Sequence, residues 1–261
     1  MKRRQRLRQL LDLLATREEL NVDEACQLTD ASEATIRRAF AELAQAGEVK
    51  KTWGGIRNTS AFRGIAAPLA FTKRLARETA EKRAIAQAAA ALPQDGDVLM
   101  VDGGTTTFQM AEFIAGRRLR VITNSLVIAQ AIDQYQGSRR GAEVLVCGGT
   151  LQPESGIIAG PAAEAFLKRY RADWLFLGCA GVDAERVTNY DEAVLASERL
   201  MVERSAKLVL LADHSKFGRT AMCQLCATKE LNHFFTGKRA PQRTLALIKK
   251  LPVDVHPIEW E

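Results

Sequence analysis

The sequence predicts an α/β protein in which a small N-terminal winged helix-turn-helix is joined to a larger Rossmann-like domain with a parallel sheet. Residues 22–55 indicate the first part, because two helical patterns separated by a short polar turn precede a glycine and a basic hairpin. Beyond residue 97, short apolar strands alternate with helical stretches, which is typical of a parallel sheet covered on both faces. We therefore expect the small domain over residues 1–57, a linker over 58–72 and the large domain over 73–261.

The second helix of the small domain has the pattern of a recognition helix. Ile36, Phe40 and Leu43 recur at helical spacing and predict a stripe that faces the core. Ser32 is placed to cap this helix after the short polar turn. Arginines left at the outward N-terminal end of such a helix can bridge guanine O6 and N7 or hold a phosphate. The alternative is an ordinary amphipathic helix pair whose arginines are solvated.

Basic residues flank this helix on both sides. The first ten residues hold five lysines and arginines and no acid. Lysines also occupy the hairpin, so both segments can contact a phosphate backbone. The order helix, turn, helix, glycine and basic hairpin favours DNA binding over a solvated helix pair. The predicted DNA contacts are Arg3, Arg4, Ser32, Thr35, Arg37, Arg38, Lys50 and Lys51.

Bulk composition sets wider limits. The 261 residues carry a formal net charge of +6, which permits nucleic-acid binding without proving it. No apolar run approaches the roughly 20 residues that span a bilayer, and no apolar segment of a signal peptide follows the basic start. We expect a cytoplasmic protein with no membrane partner and with five reduced cysteines. Cys223 and Cys226 form a lone C-x-x-C, and the three histidines lack ligand spacing, so we predict no metal site.

Five loops that follow predicted strands are small, polar or rich in glycine. Ligands of open α/β sheets bind outside the carboxyl ends of the strands, so these loops predict one cleft. Gly103 and Gly104 allow close backbone approach, and free N–H groups beside the threonines after them favour a phosphate. Lys216 can add a cation, while Asp102 and Asn124 can bond sugar hydroxyls. The predicted site comprises Asp102, Gly103, Gly104, Thr105, Thr106, Thr107, Asn124, Ser125, Gly148, Gly149, Asp213 and Lys216.

Each element of this cleft also has a simpler explanation. A Gly-Gly after a strand is often a tight turn, Asp102 can cap a helix, and a lone lysine is usually solvated. Neither a Walker A sequence nor G-x-G-x-x-G is present, which argues against a nucleotide. The convergence of five loops, rather than any one of them, predicts a site for a small polar ligand.

The chain resembles the DeoR family of bacterial sugar-responsive transcriptional regulators over nearly its whole length. The resemblance rests on the motifs TIRR at 35–38, WGG at 53–55, DGGTTT at 102–107, TNSL at 123–126, ADWLFLG at 172–178 and ADHSKFG at 212–218. It implies a winged helix-turn-helix joined to a domain similar to sugar-phosphate isomerases. It also implies repression of a catabolic operon until a phosphorylated sugar binds.

Three positions depart from the family's pattern. The pair after the two arginines is commonly Asp-Leu and here is Ala39-Phe40, which changes a possible capping or backbone contact. Thr236-Gly237 stands where the family has Thr-Asp, so the identity or affinity of the ligand can differ. Trp53 occupies a wing position where histidine is frequent, and we expect it to pack on the domain body.

The favoured function is a sequence-specific DNA-binding repressor of a carbohydrate catabolic operon, relieved by a phosphorylated sugar or polyol. It would bind double-stranded operator DNA as a homo-oligomer, a dimer or tetramer, because two-fold proteins read palindromic sites. One alternative is a sugar-phosphate isomerase-like enzyme with an accessory DNA-binding domain, in which Asp102, Asp213 and Lys216 supply acid-base groups. Another is a regulator whose second domain only oligomerises. The fused helix-turn-helix favours the first function, so we expect no catalytic residue and no cofactor.

Overall fold

A computed structural model of the chain describes residues 3–15, 19–45, 49–52, 54–58, 69–137 and 141–260. The chain divides into two compact units, Met1–Ala66 and Ala67–Glu261. The first is a helix-turn-helix with a small antiparallel sheet, and the second is built on a parallel sheet. The predicted fold class is therefore confirmed, and each unit is described by itself below.

The first unit contains helices α1 (Arg3–Ala15), α2 (Val22–Thr29) and α3 (Glu33–Gln45) and strands β1 (Glu19–Asn21), β2 (Val49–Thr52) and β3 (Gly55–Asn58). The strands form an antiparallel sheet in the order β1-β3-β2. The sequence predicted only the β2–β3 hairpin. The added strand β1 has three residues, which is too short for a period of two to show.

Local capping and a shared apolar core explain these helices. Asn21 accepts the Glu24 N–H at 2.8 Å and completes a capping box at the start of α2, and Asp30 ends that helix in the left-handed conformation. The predicted stripe is confirmed, since Ile36 is inaccessible and its two partners are 3–4% exposed. Ala39, which departs from the family's acid, is buried in the same core.

The second unit contains helices α4 (Leu69–Leu75), α5 (Thr79–Ala89), α6 (Ala111–Ile114), α7 (Leu126–Gln136), α8 (Pro161–Leu167), α9 (Glu192–Glu203) and α10 (Gln242–Ile248). The helix expected from Lys73 to Leu92 is broken, because Glu78 adopts the left-handed conformation between α4 and α5. Residues 69–72 of the predicted linker are helical and bury Phe71 against Phe108, while residues 59–68 lie outside the described ranges. None of the helices described is long and apolar enough to cross a membrane.

The strands of this unit are β4 (Val98–Val101), β5 (Arg120–Thr123), β6 (Glu143–Val146), β7 (Thr150–Gln152), β8 (Ile157–Ala159), β9 (Ala172–Leu177), β10 (Gly181–Val182), β11 (Arg186–Asn189), β12 (Ser205–Leu211), β13 (Cys223–Ala227), β14 (His233–Gly237) and β15 (Asp254–Ile258). Seven of them form a parallel sheet in the order β15-β14-β12-β9-β4-β5-β6. Two small antiparallel sheets, β7-β8 and β10-β11-β13, complete the unit. The sequence predicted five strands of the large sheet and missed β14 and β15, which mix apolar residues with histidine, glycine or proline.

The order of the strands creates a switch point in the large sheet. From β4 the chain adds β5 and β6 toward one edge, whereas β9, β12, β14 and β15 extend toward the other. Loops that leave neighbouring strands in opposite directions open a crevice between them. The crevice of this sheet therefore lies where β4 and β9 end, next to Asp102 and Gly178.

The core of the first unit depends on one large side chain. Phe40 is 3% exposed among the leucines of that core. Phe40→Ala should destabilise this unit by about 3–5 kcal/mol, since truncation removes buried area and leaves a cavity. Hydrogen exchange of peptides from residues 3–58 measures the loss. Leu28→Ala on α2, where the side chain is 43% exposed, is the matched control and should exchange as the unaltered protein does. Equal protection in both variants would contradict the assignment of Phe40 to the core.

Candidate DNA-binding and effector sites

The two arginines of α3 are exposed and lean toward the start of the helix. Arg37 Nε donates to Glu33 Oε1 at 2.8 Å, and Arg38 Nε donates to the Ala34 carbonyl at 3.3 Å. Both guanidinium groups thus lie over the first turn, where a recognition helix meets base edges. Arg37 and Glu33 are each 61% exposed, so their ion pair is weakly held and can be exchanged for a phosphate.

The remaining DNA-contact predictions lie around this helix. The Ser32 carbonyl accepts the N–H groups of Thr35 and Ile36, and the Ser32 and Thr35 hydroxyls are 2.9 Å apart. Lys51 is exposed on β2 of the wing. The side chains of Arg3, Arg4 and Lys50, and all of Trp53, lie outside what the structure describes.

Asp102 and Asn124 were predicted to bond sugar hydroxyls, but in the structure their side chains bond each other. Asn124 is inaccessible, and its Oδ1 accepts the Gly103 N–H at 2.9 Å. Its Nδ2 then donates to Asp102 Oδ1, also at 2.9 Å. Burial raises the pKa of Asp102, and the hydrogen bond from Asn124 opposes that shift. These two side chains hold the loop after β4 against the end of β5.

Thr107 and Ser125 also bond within the protein. Thr107 is inaccessible, and its hydroxyl lies 2.7 Å from the Asp102 carbonyl and 3.0 Å from that of Gly104. Ser125 caps α7, since its hydroxyl oxygen accepts the Ile128 N–H at 3.3 Å. Both hydroxyls therefore stabilise the backbone that lines the crevice.

The loop after β4 has backbone N–H groups that are available to bind a ligand. Within the described ranges, no residue accepts a hydrogen bond from the N–H of Gly104, Thr105 or Thr106. Gly104 is half-buried, and the two threonine side chains are 8% and 4% exposed. Three successive N–H groups after a strand form the kind of nest that binds an anion.

Gly148 and Gly149 lie away from this loop. They follow β6, the edge strand of the large sheet, and both are exposed. Gly149 has a φ of +145°, and a Cβ there would come within 2.7 Å of the Ala159 carbonyl. Glycine is therefore required for the turn into the β7–β8 hairpin.

Asp213 and Lys216 follow β12, on the other side of β9. Asp213 is inaccessible, and its Oδ1 accepts the Ser215 N–H at 2.9 Å. Its Oδ2 is buried, and no described residue donates to it. Lys216 is half-buried in the same turn, where its charge acts on Cys179 and Lys82. This turn offers one acceptor and one cation.

Two charged residues of α5, which lie outside the predicted site, anchor two neighbouring segments, the end of α4 and the turn after β12. Lys82 is 3% exposed, and its Nζ donates to the carbonyls of Arg74 and Arg77, each at 2.6 Å. Desolvation lowers the pKa of Lys82 to about 8, although the nearby charge of Asp213 acts to raise it. Glu81 is inaccessible and accepts both the N–H of His214 at 2.9 Å and its Nδ1 at 2.5 Å. The sequence contained a signal for their burial. Glu81 and Lys82 precede the apolar Ile85 and Ala86 by four residues each, and this spacing puts both charges on the buried face of α5.

Three side chains of the types that can bind a metal ion lie together between α5 and the turn after β12. Ligand atoms of Glu78, Glu81 and His214 lie within 4.8 Å of one another. Both Glu81 oxygens already contact His214, however, so the group is explained as a hydrogen-bonded pair beside an exposed acid. The five cysteines are free thiols.

The two units together define the class of protein. One is a helix-turn-helix whose exposed arginines stand at the start of the second helix, and the other has a polar crevice at a switch point. This is the organisation of a DNA-binding regulator with a sensing domain. Residues 6–61 match the DeoR-like helix-turn-helix domain, and residues 77–238 match the DeoR C terminal sensor domain. The chain belongs to the DeoR family of transcriptional regulators.

Relatives along the full length agree with this assignment. The chain is 30% identical to the HTH-type transcriptional repressor CsqR of Escherichia coli K12, over 95% of this chain and 92% of that protein. It is 28% identical to the glycerol-3-phosphate regulon repressor of the same organism, over 95% and 96%. Ribose 5-phosphate isomerase A of Methanocaldococcus jannaschii aligns at 17% identity and a TM-score of 0.38, over 52% of this chain and 53% of that one. The family match makes the protein a transcriptional regulator, and both of these full-length relatives are named as repressors.

Gly237, the departure from the family's aspartate, has a local cause. It ends β14, and a Cβ there would overlap the Glu81 carboxyl and the Trp260 indole. Arg239 also covers the Trp260 ring, at 5.2 Å from its centre. An aspartate would add a second carboxylate beside the buried Glu81, so the brace on His214 depends on glycine here.

Gly237→Ala should therefore lower the free energy of unfolding by about 1–3 kcal/mol, since the new methyl overfills the site. Gly237→Asp should cost more, because it also places like charges together. Urea unfolding measures both. Gly116→Ala is the matched control, as a Cβ there meets nothing within 4 Å. Equal unfolding midpoints for Gly237→Ala and Gly116→Ala would show that the site has room.

Proposed function

We propose that the protein represses a carbohydrate catabolic operon and releases its operator when a phosphorylated sugar or polyol binds the crevice. The observation that carries this proposal is the row of available N–H groups at Gly104, Thr105 and Thr106, at the switch point of the sheet. A relative named for glycerol 3-phosphate supports a phosphorylated effector. Of the residues predicted from the sequence, Gly104, Thr105 and Thr106 would bind the phosphate through their backbone N–H groups, and Asp213 and Lys216 would contact the effector through their side chains.

The charges beside the crevice favour a phosphate. The charge of Lys216 repels that of Lys82, and this repulsion contributes to the lowered pKa of Lys82. An anion relieves the repulsion between two ammonium groups. A phosphate monoester carries about two negative charges at neutral pH, so it gains from both the N–H groups and the lysines.

The hydroxyl groups of the sugar can donate hydrogen bonds to an acceptor on the protein. Asp213 Oδ2 is a buried acceptor to which no described residue donates, and leaving it unpaired costs roughly 1–3 kcal/mol. A hydroxyl of the effector supplies the missing donor. In this proposal Asp102 and Asn124, predicted to bind hydroxyls directly, hold the loop that binds the phosphate.

DNA recognition rests on α3. Arg37 and Arg38 read base edges in the major groove, while Ser32, Thr35, the lysines of the wing and the basic start contact phosphates. A homo-oligomer, dimer or tetramer, presents two such helices to a palindromic operator in the cytoplasm. Effector binding favours the conformation that fits the operator less well.

Replacing either arginine tests the DNA proposal. Arg37→Ala and Arg38→Ala should each weaken operator binding by about 1–3 kcal/mol, because each removes a charged contact at the start of the recognition helix. Fluorescence anisotropy with promoter fragments adjacent to the gene measures the affinity. Arg118→Ala, an arginine 85% exposed in the second unit, is the control and should bind normally. Full affinity in the Arg37 and Arg38 double variant would refute the recognition helix.

Lys216→Ala tests the effector proposal. It should weaken binding of phosphorylated compounds roughly tenfold or more, since a charge-assisted contact is lost. DNA affinity without effector should stay unchanged. Calorimetry with glycerol 3-phosphate, hexose phosphates and pentose phosphates measures binding, and anisotropy follows operator release in parallel.

Two controls accompany this test. Lys229→Ala, an exposed lysine of the same unit, should respond normally. The same sugars without phosphate should bind far more weakly than their phosphorylated forms. A protein that binds no phosphorylated compound would instead match the reading in which the second unit only oligomerises.

A further inference from the structure

Two buried carboxyl groups meet beneath the crevice. Asp102 ends β4 and is 2% exposed, and Glu198 lies on α9 and is 5% exposed. The two carboxyl groups interact directly, and the charge of Asp102 raises the pKa of Glu198. Glu198 was not selected from the sequence, and the function proposed above does not use it.

Two asparagines decide how this pair is bonded. Asn124 turns its Oδ1 to the Gly103 N–H, so its Nδ2 faces Asp102. Asn189 at the end of β11 does the same on the other side: Oδ1 accepts the Ala180 N–H at 2.8 Å, and Nδ2 lies 2.9 Å from both Glu198 oxygens. We call the chain Asn124–Asp102–Glu198–Asn189 the carboxyl bridge.

The contact in the middle of the carboxyl bridge requires a proton. Each amide orientation is set by a backbone N–H, so neither asparagine can serve as the donor between the two carboxyl groups. An ionised carboxylate is an acceptor only, so one of the two acids must donate. Burial raises the pKa of both acids, and the charge of Asp102 raises that of Glu198 further, so the pair retains one proton between its two carboxyl groups.

Among the described residues, the groups that act on Glu198 supply no positive charge that would neutralise a second carboxylate. The titratable groups that act on Glu198 are Asp102, Asp191 at the start of α9, and the thiols of Cys179 and Cys226. All of these are acids. Arg199, the next residue of α9, turns its guanidinium to the Gln224 carbonyl of β13 at 2.7 Å. Lys216 acts on Cys179.

The carboxyl bridge spans both sides of the crevice. Through Asn124 and Asp102 it holds the loop that carries the free N–H groups. Through Asn189 it holds Ala180, in the loop after β9. We propose that Glu198 is a positioning residue of the effector site, and that a single proton shared with Asp102 keeps the phosphate-binding loop in place. This inference rests on the proposed phosphorylated effector.

Loss of that proton leaves two buried carboxylates in contact. They repel, and the loop of Gly104 to Thr106 loses its support from α9. The folded protein keeps the proton at pH values where an unfolded glutamate, with a pKa of about 4.3, has lost it. The folded state then binds more protons than the unfolded state, so this contribution to stability disappears as pH rises through the folded pKa. Effector affinity falls over the same range.

Glu198→Gln is the decisive variant. The glutamine amide can donate to Asp102 at every pH while its oxygen still accepts from Asn189. At about pH 7 the variant should bind inorganic phosphate and the best binder of the sugar-phosphate panel within about threefold of the unaltered protein, since the bridge is conserved. Glu198→Ala, which cannot bridge, should bind roughly tenfold more weakly or worse.

The pH profile separates this role from a merely structural one. Calorimetry runs from about pH 7, where the phosphate is already a dianion because its second pKa is about 6, to about pH 9. The unaltered protein should lose more affinity over this range than Glu198→Gln, because only the unaltered protein loses the proton of the carboxyl bridge. The lysines titrate in both proteins, so their effect cancels in the comparison. Glu192→Gln, an exposed acid on the same helix, is the control and should follow the unaltered protein.

Infrared spectroscopy of the effector-free protein gives a second readout. The carbonyl band of a protonated carboxyl should be present at neutral pH and absent from Glu198→Gln. An unchanged pH profile in Glu198→Gln, or normal binding by Glu198→Ala, would refute the role of Glu198 while leaving the proposed function intact. Failure of the unaltered protein to bind any phosphorylated compound at any pH would refute the proposed function itself, and this role with it.

Discussion

Polar groups buried at the carboxyl edge of the large sheet must find partners, and this constraint organises the sensor unit. An unpaired buried donor or acceptor costs roughly 1–3 kcal/mol, so several such groups together would exceed what a domain tolerates. Asp102, Asn124 and Asn189 meet the constraint with one another and with backbone N–H groups. The loops that begin at Gly103 and Gly178 are therefore held in part by these hydrogen bonds. Among the described residues, the N–H groups of Gly104 to Thr106 and Asp213 Oδ2 have no partner at the crevice, and we propose that the effector bonds to them.

A second set of buried charges supports the turn after β12. Glu81 binds His214 twice, and Lys82 binds the carbonyls at the end of α4, so α5 holds both segments. The room for Glu81 comes from Gly237 on β14, where any side chain would collide with it. A departure from the family's pattern in one strand is thus tied to a buried acid in a distant helix. Substitutions at these two positions should be interpreted together, because residues in contact do not act additively.

The DNA-binding unit uses weaker and more exposed interactions. Its core is a small cluster of leucine, isoleucine and phenylalanine side chains, and its recognition helix carries an exposed ion pair between Arg37 and Glu33. Pairs of this kind contribute about 0–1 kcal/mol, so Arg37 can leave Glu33 for DNA at little cost. The sensor crevice therefore needs fixed geometry, whereas the recognition surface needs side chains free to move.

Local patterns allowed the sequence by itself to determine the helix-turn-helix, the first five strands of the parallel sheet and the loops that follow them. The spacing that buries Ile36, Phe40 and Leu43 lies within one helix, and each glycine-rich loop directly follows its own strand. Tertiary structure alone decided which polar groups face the crevice. Asp102 and Asn124 turned toward each other, Gly148 and Gly149 fell at the sheet edge, and Glu198 arrived from α9. These outcomes depend on hydrogen-bond partners that are distant in the chain, and the period of a helix or strand carries no information about such partners.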